Sequence, residues 1–556
     1  MQTEKISVIP LSSMSVVFAD KKPKRDEICR EITLMKNEAG SFQLAFSFDN
    51  DEEIPPKFEL LVKSPIKKHI RAYEVGSVAV MKVGYYYSDE WFLRKAPGLY
   101  PDYLRAIGKD EKLYAPQKTW QSILFNVNEA LGELPVGEHS VEVTLRSCHG
   151  DRKQVSEKFT VKVMDALLPK QSLTVTNWVH YDCMSHFSAC KPFSARFWRV
   201  FKSYITLAVR NGQNMILTPA FTPPLDTAVG KERTTVQLVG VEKDKNGYKF
   251  DFSLMEKFVE TALECGVEKF EHSHMFTQWG AYHAPKIVVR ENGKSVKKFG
   301  WHTDAHGEEY TEFVSAYIPA VIEFLRRKGW LDRFFFHVSD EPVPKNIESY
   351  SKASELMHKL LGDLPSGDAL SDYRFYNEGV VKTPIAVSRT IDTFIGKCDN
   401  LWLYFTGGES KDYLSNRLIG MPPERNRILG LQLYYYNIKG FLQWAFNAHH
   451  TTLNEAGFVN PYMSSDNSRH YVGGTSYLVY PEVDGATPSL RLLYFRDLMQ
   501  DVRACQLLES FIGRDRVVAI IDGIIPNFGI RCRITRAQMQ KVRDTVNSEI
   551  AKYIQK

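Results

Sequence analysis

The chain has 556 residues, 44% of them hydrophobic and 25% charged; this is the composition of a soluble globular protein too long for one ordinary core, so about two domains are expected. Its 71 Lys and Arg against 66 Asp and Glu leave a net charge of +5, and no block of five or more like charges exists to track a phosphate backbone, which excludes nucleic acid as an expected partner. No run approaches the roughly 18 apolar residues of a membrane span.

The first residues, Met1-Gln-Thr-Glu-Lys-Ile-Ser7, lack the basic and apolar regions of a signal peptide, and a cytoplasmic location is the expectation. From Lys5 to about Met164 short β-branched and aromatic runs alternate with turns such as Asn37-Glu-Ala-Gly40 and Leu134-Pro-Val-Gly-Glu138. Seven strands are read here: Ile6–Val17, Phe42–Phe48, Phe58–Val62, Val75–Tyr87, Ser122–Val127, Ser140–Leu145 and Phe159–Val163. They predict an antiparallel β-sandwich domain over residues 1–168, which braces the next domain of the chain.

Near Leu168-Pro-Lys-Gln171 the period changes. Strands Ser172–Val179, Asn214–Leu217 and Lys269–His274 alternate with helices Phe193–Asn211 and Ser253–Cys265. Helix Glu308–Lys328 carries Phe313, Tyr317, Val321 and Leu325 on one face, with Gly329 as its C′ residue. A fourth strand runs through Arg333-Phe-Phe-Phe-His-Val-Ser-Asp-Glu-Pro342, followed by helix Ile347–Leu361. Later strands are read near Ala369, Thr390–Phe394, Leu401–Phe405 and Gly440–Phe446, and helix Ser489–Phe511 closes the series. Eight alternating units suit a parallel (β/α)8 barrel over residues 169–556.

In such a barrel the C-terminal ends of the strands carry the chemistry, and the fourth strand delivers two adjacent carboxylates there, Asp340 and Glu341. Other strand ends bring aromatic and polar groups: Leu217-Thr-Pro-Ala-Phe-Thr-Pro-Pro-Leu-Asp-Thr227, Phe270-Glu-His-Ser-His-Met-Phe-Thr-Gln-Trp279, Leu401-Trp-Leu-Tyr-Phe-Thr-Gly-Gly408 and Phe441-Leu-Gln-Trp-Ala-Phe-Asn447. Flat apolar rings with polar tips beside carboxylates suit sugars. His272 and His274 have a spacing that places both on one strand face, with His302 and Asp340 as further ligands if a metal were held, but the sequence has no matching ligand pattern beyond them. Thr406-Gly-Gly408 and Gly473-Gly474 lack the nucleotide-binding patterns, so no cofactor is indicated. Eight scattered cysteines without a C-x-x-C pair read as free thiols.

Ordinary glycosidases place acid and nucleophile on different strands, about 5 to 9 Å apart. Neighbouring carboxylates instead suit a substrate that supplies its own nucleophile: the acetamido oxygen of a 2-acetamido sugar attacks the anomeric carbon, one carboxylate steadies the acetamido nitrogen, and the next protonates the leaving oxygen.

Met215-Ile-Leu-Thr-Pro-Ala-Phe-Thr-Pro-Pro-Leu-Asp-Thr227, Ser273-His-Met-Phe-Thr-Gln-Trp-Gly280, Phe335-Phe-His-Val-Ser-Asp-Glu-Pro342 and Gly440-Phe-Leu-Gln-Trp-Ala-Phe-Asn447 together resemble glycoside hydrolase family 123, the β-N-acetylgalactosaminidases. The resemblance covers most of the chain. It implies retaining, substrate-assisted release of terminal β-linked GalNAc, including from glycosphingolipid glycans, with Asp340 as the acetamido-stabilising residue, Glu341 as general acid/base and Tyr404 as the tyrosine on the acetamido carbonyl. His274, Gln278, Trp279, Trp444 and Asn447 are the expected sugar contacts. Asp226 either binds the C4 or C6 hydroxyl or caps a turn. Two rivals stay open: a two-carboxylate retaining β-glycosidase with Glu271 or Glu378 as nucleophile, and a glycan-binding protein without turnover.

Overall fold

The computed structural model describes residues 5–49, 55–148, 152–468 and 470–554. Packing divides the chain into two units, residues 1–171 with 411–434 and 487–556, and residues 172–410 with 435–486.

The first unit contains two five-stranded sheets. One orders Lys5–Ser12, Gly40–Asp49, Gln121–Val127, Ile70–Val80 and Gly98–Ala106; the other orders Glu31–Met35, Gln154–Met164, Gly137–Ser147, Lys57–Lys63 and Lys112–Tyr114. Neighbours are antiparallel except Glu31–Met35, which runs parallel to Gln154–Met164. Alternation along Gly137–Ser147 buries Val141, Val143 and Leu145, and Phe42 of one sheet stacks on Phe159 of the other with centroids 4.1 Å apart, the interdigitated core of a sandwich. Three of these strands are additions to the seven read from sequence. Gly98–Ala106 escapes because Pro101 interrupts it, which an edge strand tolerates, and Lys112–Tyr114 is only three residues long.

The second unit is built on eight parallel strands, named here β1 (Thr174–Asn177), β2 (Met215–Thr218), β3 (Lys269–His272), β4 (Phe334–Phe336), β5 (Gly367–Leu370), β6 (Thr383–Val387), β7 (Trp402–Tyr404) and β8 (Gly440–Gln443). They pair in chain order, β8 returns to β1, and a parallel bridge from Phe336 to Ser366 links β4 to the start of β5. Alternate residues fill the interior: Met215 and Leu217, Phe335, Ala369, Ile385 and Val387, Trp402 and Tyr404, and Leu442 form one buried cluster, as barrel layers require. Helices Ala195–Arg210, Ser253–Glu264, Glu308–Arg327 and Ile347–Leu361 form where periodicity placed them, and Gly329 has the positive φ (68°) of a C′ residue.

Two expectations are corrected. The sixth strand is Thr383–Val387, not Thr390–Phe394, where residues 391–393 form one 3₁₀ turn; Pro384 in the second strand position hid the true strand. Residues 169–556 are also not one domain. The closing helix exists (Leu490–Ile512, N-capped by Ser489), but it packs with the first unit, as do 411–434 and helix Arg536–Ile554. Leu490, Leu493 and Tyr494 pack there on Tyr73, Leu104 and Leu124, and buried charges pair: Arg491 grips Asp102 at 2.8 and 2.9 Å, and Arg543 grips Glu38 at 2.7 Å and Asp501 at 3.0 Å. No helix among the described residues is long and apolar enough to cross a membrane.

Candidate active site

The ladder of β4 ends at Phe336, and the chain runs through buried His337, Val338 and Ser339 to Asp340 and Glu341 at the C-terminal mouth of the barrel. Glu341 has φ 46°, a left-handed conformation costing a β-carbon-bearing residue about 1–2 kcal/mol, immediately before Pro342. Its surroundings over-determine it. Glu341 N–H donates to Ala369 O of β5 at 3.1 Å, and Trp279 N–H, from the loop after β3, donates to Asp340 O at 2.8 Å. Trp279 is itself left-handed (φ 63°), and its carbonyl accepts Asn346 Nδ2 at 2.5 Å. Loops after β3 and β4 and the end of β5 therefore lock the pair in place. The phenol of Tyr404, from β7, donates to Glu341 Oε1 at 2.7 Å.

Below the pair lies a buried charge cluster. His337 Nδ1 lies 3.1 Å from Asp368 Oδ1 on β5, and its Nε2 lies 3.0 Å from Glu271 Oε1 on β3. Burial alone would discharge the ring, but the two carboxylates push His337 up to about 10. Glu271 further accepts Trp178 Nε1 at 3.0 Å and the Thr176 hydroxyl; Asp368 accepts Tyr350 OH at 2.5 Å and the N–H groups of Val338 and Ser339 at 3.2 Å. With burial and the neighbouring Glu341 and Asp368 charges acting together, Asp340 is raised well above the carboxylate range, partly offset by His337. The expected acetamido-stabilising role calls for an anion at Asp340, against the direction of this shift.

The other expected site residues separate into two groups. Trp279 is 42% exposed and offers a face. Trp444 is half-buried on the interior cluster. His274 is buried, lies flat on His337 (centroids 4.4 Å, 15°), and neither ring nitrogen has a hydrogen-bond partner; burial and the His337 charge keep it neutral. Asp226, again left-handed (φ 46°), accepts Tyr471 OH on Oδ1 at 2.9 Å while Oδ2 is buried without a partner. Gln278 and Asn447, expected as sugar contacts, also brace loops. Gln278 accepts Asp226 N–H at 2.9 Å and donates to Thr227 O at 3.2 Å; Asn447 brackets the His180 peptide at 2.8 and 3.1 Å. Each amide keeps a second N–H and a second lone pair beyond these main-chain bonds, on side chains that are 6% (Gln278) and 0% (Asn447) exposed.

The H-x-H pair does not act as a unit. His272 binds Tyr317 OH at 2.8 Å and stacks on Phe336, whereas His274 stacks on His337, and His302 is exposed on a different loop. Among the described residues, two buried clusters bring ligand-type atoms together, Asp182 with Cys183 and His450, and His274 with His337 and Asp368. In the first, Arg233 already neutralises Asp182 bidentately at 2.6 and 2.9 Å; in the second, His337 turns both nitrogens to carboxylates. The first set and the His337–Asp368 pair are thus engaged in hydrogen bonds, and His274 alone keeps both ring nitrogens without a partner. Sequence reading missed Tyr471, Asp368 and His337. A charged residue inside a strand read as fully buried was the available signal, since such a residue needs a partner.

The catalytic domain of glycoside hydrolase family 123 matches residues 178–508. No curated protein matches the sequence. Among solved structures, a family 123 glycoside hydrolase from Clostridium perfringens, studied for glycolipid glycan hydrolysis, superposes with TM-score 0.73 at 10% identity over 99% of each chain. A family 39 glycoside hydrolase from Bacteroides cellulosilyticus WH2 gives TM-score 0.34 at 10% identity over 88% of this chain and 83% of that one, too distant to carry an argument.

Proposed function

Because this chain belongs to glycoside hydrolase family 123, we propose that it is an exo-acting, retaining β-N-acetylgalactosaminidase that works by substrate assistance through an oxazolinium intermediate. The observation that carries this reading is the pairing of two carboxyls on consecutive residues, Asp340 and Glu341, while the acid on neighbouring β3 is occupied: Glu271 accepts Trp178, His337 and Thr176 and has no oxygen free to attack an anomeric carbon. Glu378, the other rival nucleophile, is exposed beyond a short helix after β5.

In the free enzyme burial and the neighbouring carboxylates disfavour the anion on Asp340. A 2-acetamido group brings an N–H that hydrogen-bonds best to a carboxylate, so substrate binding favours the anion on Asp340 and the proton on Glu341. Glu341 then protonates the leaving oxygen as the acetamido oxygen attacks. The next step reverses the roles: Glu341 takes a proton from water as water opens the oxazolinium ring from the opposite face, so β configuration is retained. Tyr404, whose phenol donates to Glu341, turns to the acetamido carbonyl when substrate enters. Asp226 with Tyr471 receives a sugar hydroxyl at C4 or C6, and Trp279 and Trp444 pack on the ring. The glycan class proposed is that of the Clostridium perfringens enzyme, glycolipid glycans.

The test is release of p-nitrophenol from β-GalNAc, β-GlcNAc and β-Gal glycosides, with EDTA present, by wild type, Asp340→Asn and Glu341→Gln. Turnover confined to acetamido sugars, with β-GalNAc preferred, and a fall of about 10³-fold or more in both variants are expected. Turnover of β-Gal, or an active Asp340→Asn, would return the search to a separate nucleophile.

A further inference from the structure

The hydrogen bonds around His337 fix its charge by elimination. Both ring nitrogens face carboxylate oxygens. Glu271 and Asp368 in turn are surrounded by donors, of which Trp178 Nε1–H and the N–H groups of Val338 and Ser339 can only donate. The two oxygens that face the ring, Glu271 Oε1 and Asp368 Oδ1, each already accept one of these donors, so they act as acceptors, and the imidazole between them donates from both nitrogens. Side-chain exposures of 0–1% leave no room for solvent to serve instead. Asp368 joins this cluster to the reacting end of the strand, because the carboxylate that holds the imidazolium also holds the two peptides preceding Asp340.

We propose that His337 is a positioning residue for the carboxyl pair: a permanent buried imidazolium that fixes the end of β4 through Asp368 and makes an anion at Asp340 tolerable. The proposal rests on the substrate-assisted reading, in which Asp340 must become charged. The groups facing it are consistent with this. Around Asp340 stand Glu341, Asp368 and the phenols of Tyr350 and Tyr404; around His337 stand Glu271, Asp368 and the neutral rings of His272 and His274. Arg389 lies near Glu341 but is paired with Glu409. His337 is thus the cation next to Asp340. Without it, ionising Asp340 would place a further negative charge beside Glu341 and Asp368 with this cation gone.

His337→Gln keeps a planar polar side chain and removes the charge. Its acid limb of kcat/KM against pH is expected to move up by about one unit or more, with activity recovering on the alkaline side. A loss equal at every pH, with the limb unmoved, would mean a merely structural role and overturn the proposal. Because the variant could fold poorly, the wild type supplies an independent reading: ring-¹⁵N spectra should show one histidine among the fifteen still doubly protonated at pH 9, and its absence would overturn the proposal too. The two readings are separable, since an active Asp340→Asn defeats substrate assistance, whereas the imidazolium signal reports on His337 whichever sugar is cleaved.

Discussion

Burial pushes the Asp226 carboxyl up to about 6, against the opposing pull of its hydrogen bond from Tyr471 and the charge of Arg233. An acid whose folded pKa lies above its unfolded value of 3.8 favours the folded state only while protonated, so stability is lost as pH rises from about 4 to about 6 and stays lost above. The shift amounts to about 3 kcal/mol. Asp226→Asn should therefore raise Tm at pH 7 and flatten its pH dependence between 4 and 6. The same change should lower kcat/KM about 10- to 100-fold, as expected for losing a charged hydrogen bond to a sugar hydroxyl. An unchanged kcat/KM across the three glycosides would assign Asp226 to turn capping, the other reading its sequence position allowed. Stability gained where activity is lost marks a residue held for function.

At the scale of elements, the barrel depends on close approaches that its short strands make possible. Gly367 opens β5 where a β-carbon would come 2.2 Å from Thr383 O of β6 and 3.0 Å from the Phe335 ring of β4. The first obstacle is backbone and cannot rotate away. Gly367→Ala is expected to destabilise the enzyme by about 1–3 kcal/mol in urea unfolding, and to reduce turnover as well, because Asp368 is the next residue and anchors the β4 end. A neutral result would show that β5 and β6 can separate without cost. The elements themselves were largely legible. Helices Glu308–Arg327 and Ile347–Leu361 follow their 3.6-residue apolar period to within a residue. Seven of the eight barrel strands lie where apolar runs placed them, and the eighth was lost to a single proline, Pro384. By contrast, the four-stranded sheet of Gly240–Asp244, Gly247–Asp251, Ile287–Glu291 and Lys294–Phe299 was not read, since three of its strands are mostly polar and exposed and the apolar start of the other, Ile287–Val289, is only three residues long.

At the scale of the whole molecule, the first unit is assembled from three separate stretches of chain. Glu38 in the turn between two sandwich strands, Asp501 on helix Leu490–Ile512, Arg427 from the 411–434 segment and Arg543 near the C-terminus form one buried network. Removing one member leaves buried charges unpaired, at about 3–5 kcal/mol. Arg543→Met should therefore lower the urea midpoint strongly, and Glu38→Gln added to it should restore part of the loss, a coupling that a double-mutant cycle measures. Additive losses would mean that the pair contributes nothing beyond its separate parts.

Sequence alone determined the β-sandwich, the eight-fold alternation of strand and helix, and the placing of Asp340 and Glu341 at a strand end, because each of these is written in a window of a few residues through side-chain period and turn chemistry. Tertiary structure decided the rest. The bonds that fix His337 span 31 and 66 residues, the one that holds Asp226 spans 245, and the one that ties the C-terminal helix to Glu38 spans 505. No local pattern encodes such partners. A buried charge is stable only where the fold delivers its counter-charge, so barrel closure and chain return, rather than spacing, chose which polar residues brace the molecule and which remain free to meet a sugar.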